Sequence, residues 1–149
     1  MKQLLITIAA LVLVACGPSI TIHKAAYEGN ISAVKQHLAA GTDVNAKNIS
    51  GQTPLHRSWT KEVTELLIAK GADVNVKDNK GSTPLHYAET KGSAELIIAR
   101  GADINAKNER DETPLDIAKK LNRRHLFGVV DLLLKHGGKT GEELKAEGK

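Results

Sequence analysis

Apolar residues recur three and four positions apart in three separate stretches of the chain. This spacing places their side chains on one face of an α-helix, so each stretch is predicted to form an amphipathic helix. A face of this kind must be buried against another element of the fold. The residues that define the three faces are Val63, Leu66, Leu67, Leu96, Ile97, Val130, Leu133 and Leu134.

A short block, Thr-Pro-Leu-His, recurs at an interval of thirty residues. It begins at Thr53 and at Thr83, returns as Thr-Pro-Leu-Asp at Thr113, and has a partial copy at Ile22-His23. Threonine is a favoured N-cap and a proline in the first turn loses no hydrogen bond, so each block predicts the start of a helix. The histidines are expected to tie nearby threonine and backbone groups together, because no ligand or base partner accompanies them at a useful spacing.

A second block, of the form Gly-Ala-Asp-Val-Asn, repeats at the same interval. It begins at Gly41, Gly71 and Gly101, and Gly137 ends the series. Each glycine follows the predicted end of a helix, where a left-handed backbone favours a residue without a Cβ. Turn-forming residues then predict a projecting loop in each copy, at 48–51, 78–81 and 108–111, and the last of these lacks its glycine.

Together the blocks resemble ankyrin repeats, in which Thr-Pro-Leu-His, a following alanine, a pair of leucines and Gly-Ala-Asp-Val-Asn occur in this order. The resemblance covers about residues 19–139. It implies an all-α repeat solenoid of about four units, each a helix-turn-helix with a β-hairpin loop, that is stable only because neighbouring units stack. The implied boundaries are 20–48, 49–78, 79–108 and 109–139, followed by a C-terminal capping segment at 140–149.

The copies depart from the usual unit of about 33 residues. In the second copy the loss is expected in the first helix and its turn, at Arg57-Ser58-Trp59; in the third it is expected in the second helix, Ser93 to Arg100, because Gly92 is retained. The fourth carries three extra residues within Leu121 to Gly128. Helices of unequal length cannot all be covered by their neighbours, so these changes leave open whether the second and third units stack regularly. Trp59 either fills the space of the missing turn or stands out as an interface anchor.

The N-terminal sequence is typical of a bacterial signal peptide. Lys2 precedes an apolar run, Leu4 to Val14, that is too short to span a membrane. Leu13-Val14-Ala15-Cys16 resembles the lipobox of bacterial lipoproteins, and Cys16 is the only cysteine of the chain. The resemblance implies a signal peptide at 1–15 and a lipidated Cys16.

The residue after the lipobox bears on location. Gly17 stands where an Asp would favour retention at the inner membrane, so the resemblance implies an outer-membrane anchor facing the periplasm. The segment 16–19 is then a tether that reaches roughly 10 Å at about 3.3 Å per residue. The alternative is an ordinary secretory peptide cleaved near Ala15, which leaves a soluble periplasmic protein.

Composition narrows the function further. With 3% aromatic residues the chain is poorly suited to an aromatic-lined ligand pocket or a base-stacking platform, and one cysteine excludes a multi-thiolate zinc site. No nucleophile paired with a base, phosphate-binding glycine loop or metal cluster is present in the sequence. We therefore expect no enzyme, no cofactor or metal and no small-molecule substrate. Nucleic acid is not expected either, because the net charge of +4 comes from interspersed charges.

The family resemblance implies binding of another protein, which the short tether would keep in the envelope. In the family, contacts fall at loop tips and at the ends of the first helices. The matching positions here, with Trp59 added as the anchor, are Tyr27, Glu28, Ile49, Ser50, Gln52, Trp59, Thr60, Asn79, Lys80, Ser82, Thr90, Lys91, Glu109, Arg110 and Glu112. The alternative is binding of anionic lipid or nucleic acid through the basic segment 119–125, where Lys119, Lys120, Arg123, Arg124 and His125 cluster.

Overall fold

The structure is a computed structural model that describes residues 20–121 and 126–149. These residues form seven α-helices and two 3₁₀ helices, with no β-strand among them. The signal peptide and Cys16, together with Arg123, Arg124 and His125, lie outside the described residues. The helices are α1 (Ile22–Tyr27), α2 (Ile31–Ala39), the 3₁₀ helix Pro54–Arg57, α3 (Lys61–Ala69), the 3₁₀ helix Pro84–Tyr87, α4 (Lys91–Ala99), α5 (Pro114–Leu121), α6 (Phe127–Lys135) and α7 (Gly141–Ala146).

The helices pack in pairs, and the pairs stack side by side in chain order. The first unit contains α1 and α2, the second and third each pair a 3₁₀ helix with α3 or α4, and the fourth contains α5 and α6. First helices contact first helices of the neighbouring unit, and second helices contact second helices. The predicted all-α repeat solenoid is therefore confirmed.

One apolar core runs through the whole stack. Six large side chains in it are at most 2% exposed: Leu55, Leu67, Leu85, Ile97, Leu115 and Leu133. Leu134, predicted to lie on the apolar face of its helix, is instead 50% exposed. The buried face of α6 passes through Val129, Leu132 and Leu133, which follow the three-and-four spacing and leave the next residue pointing to solvent.

The shortening of the second and third units falls in the same place. Both have a first helix of only four residues, Pro54–Arg57 and Pro84–Tyr87, while α3 and α4 have nine residues each, as α2 does. The prediction is confirmed for the second unit and is wrong for the third, whose second helix is complete. Because the two losses coincide, these units stack in register, a point that their shortened sequences leave open.

Gly92 misled the sequence interpretation because it does not belong to the turn between the helices. It is the second residue of α4, and a Cβ there would come within 3.1 Å of the Lys61 side chain of the preceding helix. The absence of a Cβ at Gly92 therefore allows α3 and α4 to approach each other closely.

A row of asparagine side chains joins each loop to the next. Asn45 Oδ1 accepts a hydrogen bond from Asp73 N at 2.9 Å, and Asn45 Nδ2 donates to Gly71 O at 3.3 Å. Asn75 makes the same pair of bonds to Asp103 N and Gly101 O. Both ends of each carboxamide are used, so every copy of the Gly-Ala-Asp-Val-Asn block fixes the position of the following copy.

The C-terminal segment carries a further short helix, α7. Thr140 caps α7, its side chain accepting from Glu143 N while Thr140 N donates to Glu143 Oε2, which is the predicted capping box. Leu144 is buried. Across the parts of the chain that the structure describes, no helix is long and apolar enough to cross a membrane.

Candidate functional site

Each projecting loop is closed by the side chain of its first turn residue. In the second unit Asn48 Oδ1 accepts from Ser50 N at 2.9 Å and from Gln52 N at 3.0 Å, and Asn48 N donates to Gln52 O. Asp78 and Asn108 close the next two loops in the same way. The loops have the outline of a hairpin but are held by these turn contacts, without a strand ladder in the described residues.

The loop without a glycine keeps the same geometry. Gly51 and Gly81 adopt left-handed backbones with φ of 71° and 73°, and Asp111 takes that position in the fourth unit with φ of 58°. Aspartate tolerates this region better than most residues. The three tips are thus equivalent in shape and differ in the side chains they carry.

The loop tips are tied into a row. Asn79 N donates to Ser50 O at 3.0 Å, Asn79 Nδ2 donates to Ile49 O at 3.1 Å, and Glu109 N donates to Lys80 O at 3.0 Å. The side chains of Ile49 and Lys80 remain exposed, and Ile49 is fully so. The row therefore presents a fixed backbone with solvent-facing side chains.

Buried histidines hold the first helices to the loops. Thr53 N donates to His56 Nδ1 at 3.0 Å, and His56 Nε2 donates to Ser82 O in the next loop at 3.1 Å. These partners require the neutral ring with its proton on Nε2. Burial accordingly holds the pKa of His56 below its usual value. The structural role expected for this histidine is confirmed.

A histidine makes the same bonds in the third unit, and an aspartate takes this position in the fourth unit. His86 accepts from Thr83 N and donates to Glu112 O at 3.1 Å, and burial lowers its pKa too. In the fourth unit Asp116 accepts from Thr113 N at 2.9 Å and from Gly141 N at 2.8 Å. A carboxylate suits this last position because it receives backbone N–H groups on both sides.

A cleft of about 280 Å³ lies between the loops of the third and fourth units, at 78–81 and 108–111, and the first helices that lie beneath them. Lys80, Glu109 and Arg110 are exposed along it, whereas Ser82 and His86 are buried in its wall. The full lining is Lys80, Ser82, His86, Tyr87, Asn108, Glu109, Arg110, Glu112 and Ile117.

Asp78, which bonds to residues that line this cleft, is held in its charged form. Burial by itself raises the pKa of Asp78, but hydrogen bonds from the Tyr87 hydroxyl, at 2.8 Å, and from the N–H groups of Lys80 and Ser82 outweigh it, so the pKa lies below its usual value. Burial and the Asp78 carboxylate raise the pKa of Tyr87. The Tyr87 hydroxyl and the backbone at Lys80 and Ser82 are thus held in one hydrogen-bond network around Asp78.

Glu112 is also held as a carboxylate. Hydrogen bonds from Lys120, at 2.9 Å, and from Asn108 lower its pKa. This ion pair engages Lys120, one of the cations of the basic segment considered for lipid or nucleic acid, although Lys120, like Lys119, is exposed.

A second exposed cluster lies on the first two units. The rings of Tyr27 and Trp59 meet edge to face with centroids 5.6 Å apart, and the Arg57 guanidinium lies 4.6 Å from the Tyr27 ring centroid. We call Tyr27, Arg57 and Trp59 the aromatic patch. Trp59 N donates to Ala26 O at 3.3 Å, so its backbone bridges the step left by the shortened helix. The ring is 40% exposed, so Trp59 partly fills that step and partly faces solvent.

The predicted contact residues at helix ends have local partners. Thr60 and Thr90 cap α3 and α4, with side chains accepting from Val63 N and Ser93 N. Glu28 and Lys91 form exposed ion pairs one helical turn away, Glu28 with Lys24 and Lys91 with Glu95. The predicted loop residues are exposed or half-buried, apart from buried Ser82: Ile49, Ser50, Gln52, Asn79, Lys80, Glu109, Arg110 and Glu112.

Sequence reasoning missed three residues that complete these surfaces. Tyr87 and Ile117 line the cleft, and Arg57 completes the aromatic patch. Tyr87 and Arg57 directly follow the two Thr-Pro-Leu-His blocks, and that shared position was the available signal. Within residues 20–121 and 126–149, no group of three or more His, Cys, Asp or Glu side chains is arranged to hold a metal ion.

Comparison with known proteins agrees with the repeat geometry. A family model described as ankyrin repeats, in three copies, matches residues 22–108. The match spans the first three units, and the fourth lies beyond it. No curated protein matches the chain significantly.

Proposed function

The chain belongs to the ankyrin repeat family, and we propose that it is a non-enzymatic module that binds another protein while anchored to the bacterial envelope through a lipidated Cys16. Ankyrin repeats are protein-interaction modules, which supports the binding part of the proposal. The anchor, on the periplasmic side of the outer membrane, is supported by the lipobox-like Leu13-Val14-Ala15-Cys16.

One observation carries the binding proposal. The row of loop tips is fixed by backbone hydrogen bonds between units, yet its side chains face solvent beside a cleft of about 280 Å³. A prearranged surface avoids part of the ordering cost of association. Lys80 and Arg110 are exposed there, and arginine is enriched among residues that dominate binding energy. We place the partner on these tips and in this cleft.

The described chain begins close to the proposed anchor. Ile20 O accepts a hydrogen bond from His37 Nε2 at 2.6 Å, which fixes the start of the first unit against α2. Only Gly17, Pro18 and Ser19 then separate it from Cys16. At about 3.3 Å per residue this tether is short, so the partner must itself lie at the membrane or in the envelope.

Affinity capture from detergent-solubilised envelope tests the binding surface. We compare the wild-type chain with a Lys80→Ala/Arg110→Ala variant and identify captured proteins by quantitative mass spectrometry. If each side chain contributes about 1 kcal/mol or more, the affinity for a specific partner falls about thirtyfold or more in the variant, and its recovery falls accordingly.

The matched control removes two cations from the ends of the second helices. Lys70→Ala/Arg100→Ala changes the net charge equally, and both residues are exposed C-caps of α3 and α4. Its capture should equal that of the wild type. Equal loss in both variants would indicate nonspecific charge binding, and no loss in either would exclude this surface.

The anchor is tested separately. The mass of the mature protein should include the acyl chains on Cys16, and Cys16→Ser should abolish them and release the protein from the membrane fraction. An unmodified mature chain in the soluble periplasm would support the ordinary secretory alternative.

A further inference from the structure

We propose that the aromatic patch of Tyr27, Arg57 and Trp59 docks onto the phospholipid surface that carries the anchor. This contact rests on the lipid anchoring proposed above. It adds the face of the protein that meets the bilayer, and it separates that face from the loop surface left for a protein partner.

The patch is compact and ordered. Tyr27 is 47% and Trp59 40% exposed, with ring centroids 5.6 Å apart, and the Arg57 guanidinium lies 4.6 Å from the centroid of Tyr27. The backbone bond from Trp59 N to Ala26 O joins the second unit to the end of α1 and fixes the two rings relative to each other. The exposed aromatic surface thus needs little further ordering to bind.

The chemistry of the patch suits the headgroup region. Tyrosine and tryptophan concentrate at membrane interfaces because each has an apolar ring and a polar edge. A guanidinium is planar and carries a fork of N–H donors that fits phosphate oxygens. Arg57 beside Tyr27 therefore offers a phosphate contact next to rings that enter the interface.

The position of the patch agrees with the tether. At about 3.3 Å per residue the segment from Cys16 to Ile22 spans at most about 20 Å, and α1 places Tyr27 about 8 Å further along at about 1.5 Å per residue. The patch therefore lies within reach of the bilayer when Cys16 is embedded. The cleft near Lys80 and Arg110 belongs to the third and fourth units and stays away from this contact.

The distribution of aromatic residues favours lipid over a second protein surface. The chain has two tyrosines and one tryptophan. Tyr87 lies in the cleft wall, where its hydroxyl donates a hydrogen bond to Asp78. The other two lie together on the units nearest the tether. These units lie next to the proposed anchor, where a contact with the membrane interface needs its aromatic side chains.

Trp59 is the only tryptophan and therefore reports on its own position. The lipidated full-length protein is reconstituted into phosphatidylcholine vesicles containing phosphatidylglycerol, and its fluorescence is quenched either by a nitroxide on a shallow acyl position of the lipid or by acrylamide in water. We expect strong quenching by the lipid nitroxide and weak quenching by acrylamide.

Two variants identify the patch as the cause. Arg57→Gln should reduce the docked fraction relative to the undocked fraction about fivefold, the change expected from about 1 kcal/mol per basic residue near an anionic surface. Leu134→Ser removes an exposed apolar side chain from the fourth unit and should match the wild type. A Cys16 mass without acyl chains overturns both the anchoring and this contact.

If Cys16 is acylated but the lipid nitroxide does not quench Trp59, the docking proposal alone fails. The same holds if Arg57→Gln and Leu134→Ser behave alike. Protection of Trp59 from acrylamide that requires an added envelope protein would show that the patch is a protein interface.

Discussion

His56 joins two repeats through one ring, because its Nε2 donates to the carbonyl of Ser82 at 3.1 Å while its Nδ1 accepts from Thr53 N within its own unit. The ring is 3% exposed, so neither partner can turn to water if the histidine is lost. The loop that carries Lys80 is therefore held in place from below by the preceding repeat. Stability and the shape of the proposed binding surface depend on the same bond.

Replacing His56 by alanine should destabilise the protein by about 2 to 6 kcal/mol, because a buried N–H and a buried carbonyl each lose their partner at about 1 to 3 kcal/mol. Urea unfolding followed by circular dichroism measures the change. His136→Ala is the control, since His136 is exposed at the end of α6 and should cost little. Equal effects of the two substitutions would contradict the role given to His56.

Acid should weaken the fold through the same histidines. Burial lowers the pKa of His56 and of His86, so the unfolded chain binds protons more readily than the folded chain. Their contribution is fully present above the unfolded pKa of about 6.5 and is lost as pH falls through the folded pKa values.

The urea midpoint, measured between pH 7.5 and pH 5, should therefore fall toward acid with a steepness that the His56→Gln/His86→Gln variant lacks. His136→Gln should keep the wild-type steepness. A midpoint independent of pH in the wild type would show that these rings do not control acid stability.

Much of this architecture could be predicted because it depends on contacts between near neighbours in sequence. Thr53 and Pro54 specify the start of the first helix of the second unit, and Gly71 specifies the left-handed end of α3 with φ of 89°. A period of thirty residues then repeats these local instructions, so stacking follows from one unit.

The rest depended on contacts that no local pattern shows. The losses in the second and third units coincide, although the sequence places the second loss elsewhere because of Gly92. This glycine packs against Lys61 of the preceding unit, and no local pattern indicates that partner. Tyr87 enters the cleft through a bond to Asp78 from the loop before it. The repeat spacing could predict which residues form the loop tips, but it could not predict which side chains, such as Tyr87, support them.

The loop of the second unit should require glycine at position 51 for two reasons: its backbone is left-handed, and a neighbouring loop leaves no room for a Cβ. Gly51 has φ of 71°, and a Cβ there would collide with Asn79 Oδ1 and lie 2.8 Å from Asn79 N. Gly51→Ala should therefore cost about 2 to 3 kcal/mol, of which about 1 to 2 is the left-handed backbone. The same urea assay measures it.

Gly41→Ala isolates the backbone part. Gly41 has φ of 85°, but nothing lies within 4 Å of a Cβ there. Its cost should stay at about 1 to 2 kcal/mol. If Gly41→Ala destabilised the protein as much as Gly51→Ala, contact with the loop of the third unit would not explain the need for glycine at position 51.

Trp59 should contribute to stability as well as to the surface. Glu89 occupies the equivalent position thirty residues later, so Trp59→Glu substitutes one repeat's residue for another's. The variant keeps the backbone bond to Ala26 O but loses the ring contact with Tyr27 and the part of the indole that is buried. An aromatic pair contributes about 0.5 to 1.5 kcal/mol beyond its buried area, so we expect the free energy of unfolding, measured in urea, to fall by about 1 to 3 kcal/mol.

Trp59→Phe keeps an aromatic ring against Tyr27 and should recover most of the loss. If Trp59→Glu were as stable as the wild type, the indole would not fill the step left by the shortened first helix, and its only role would be at the surface.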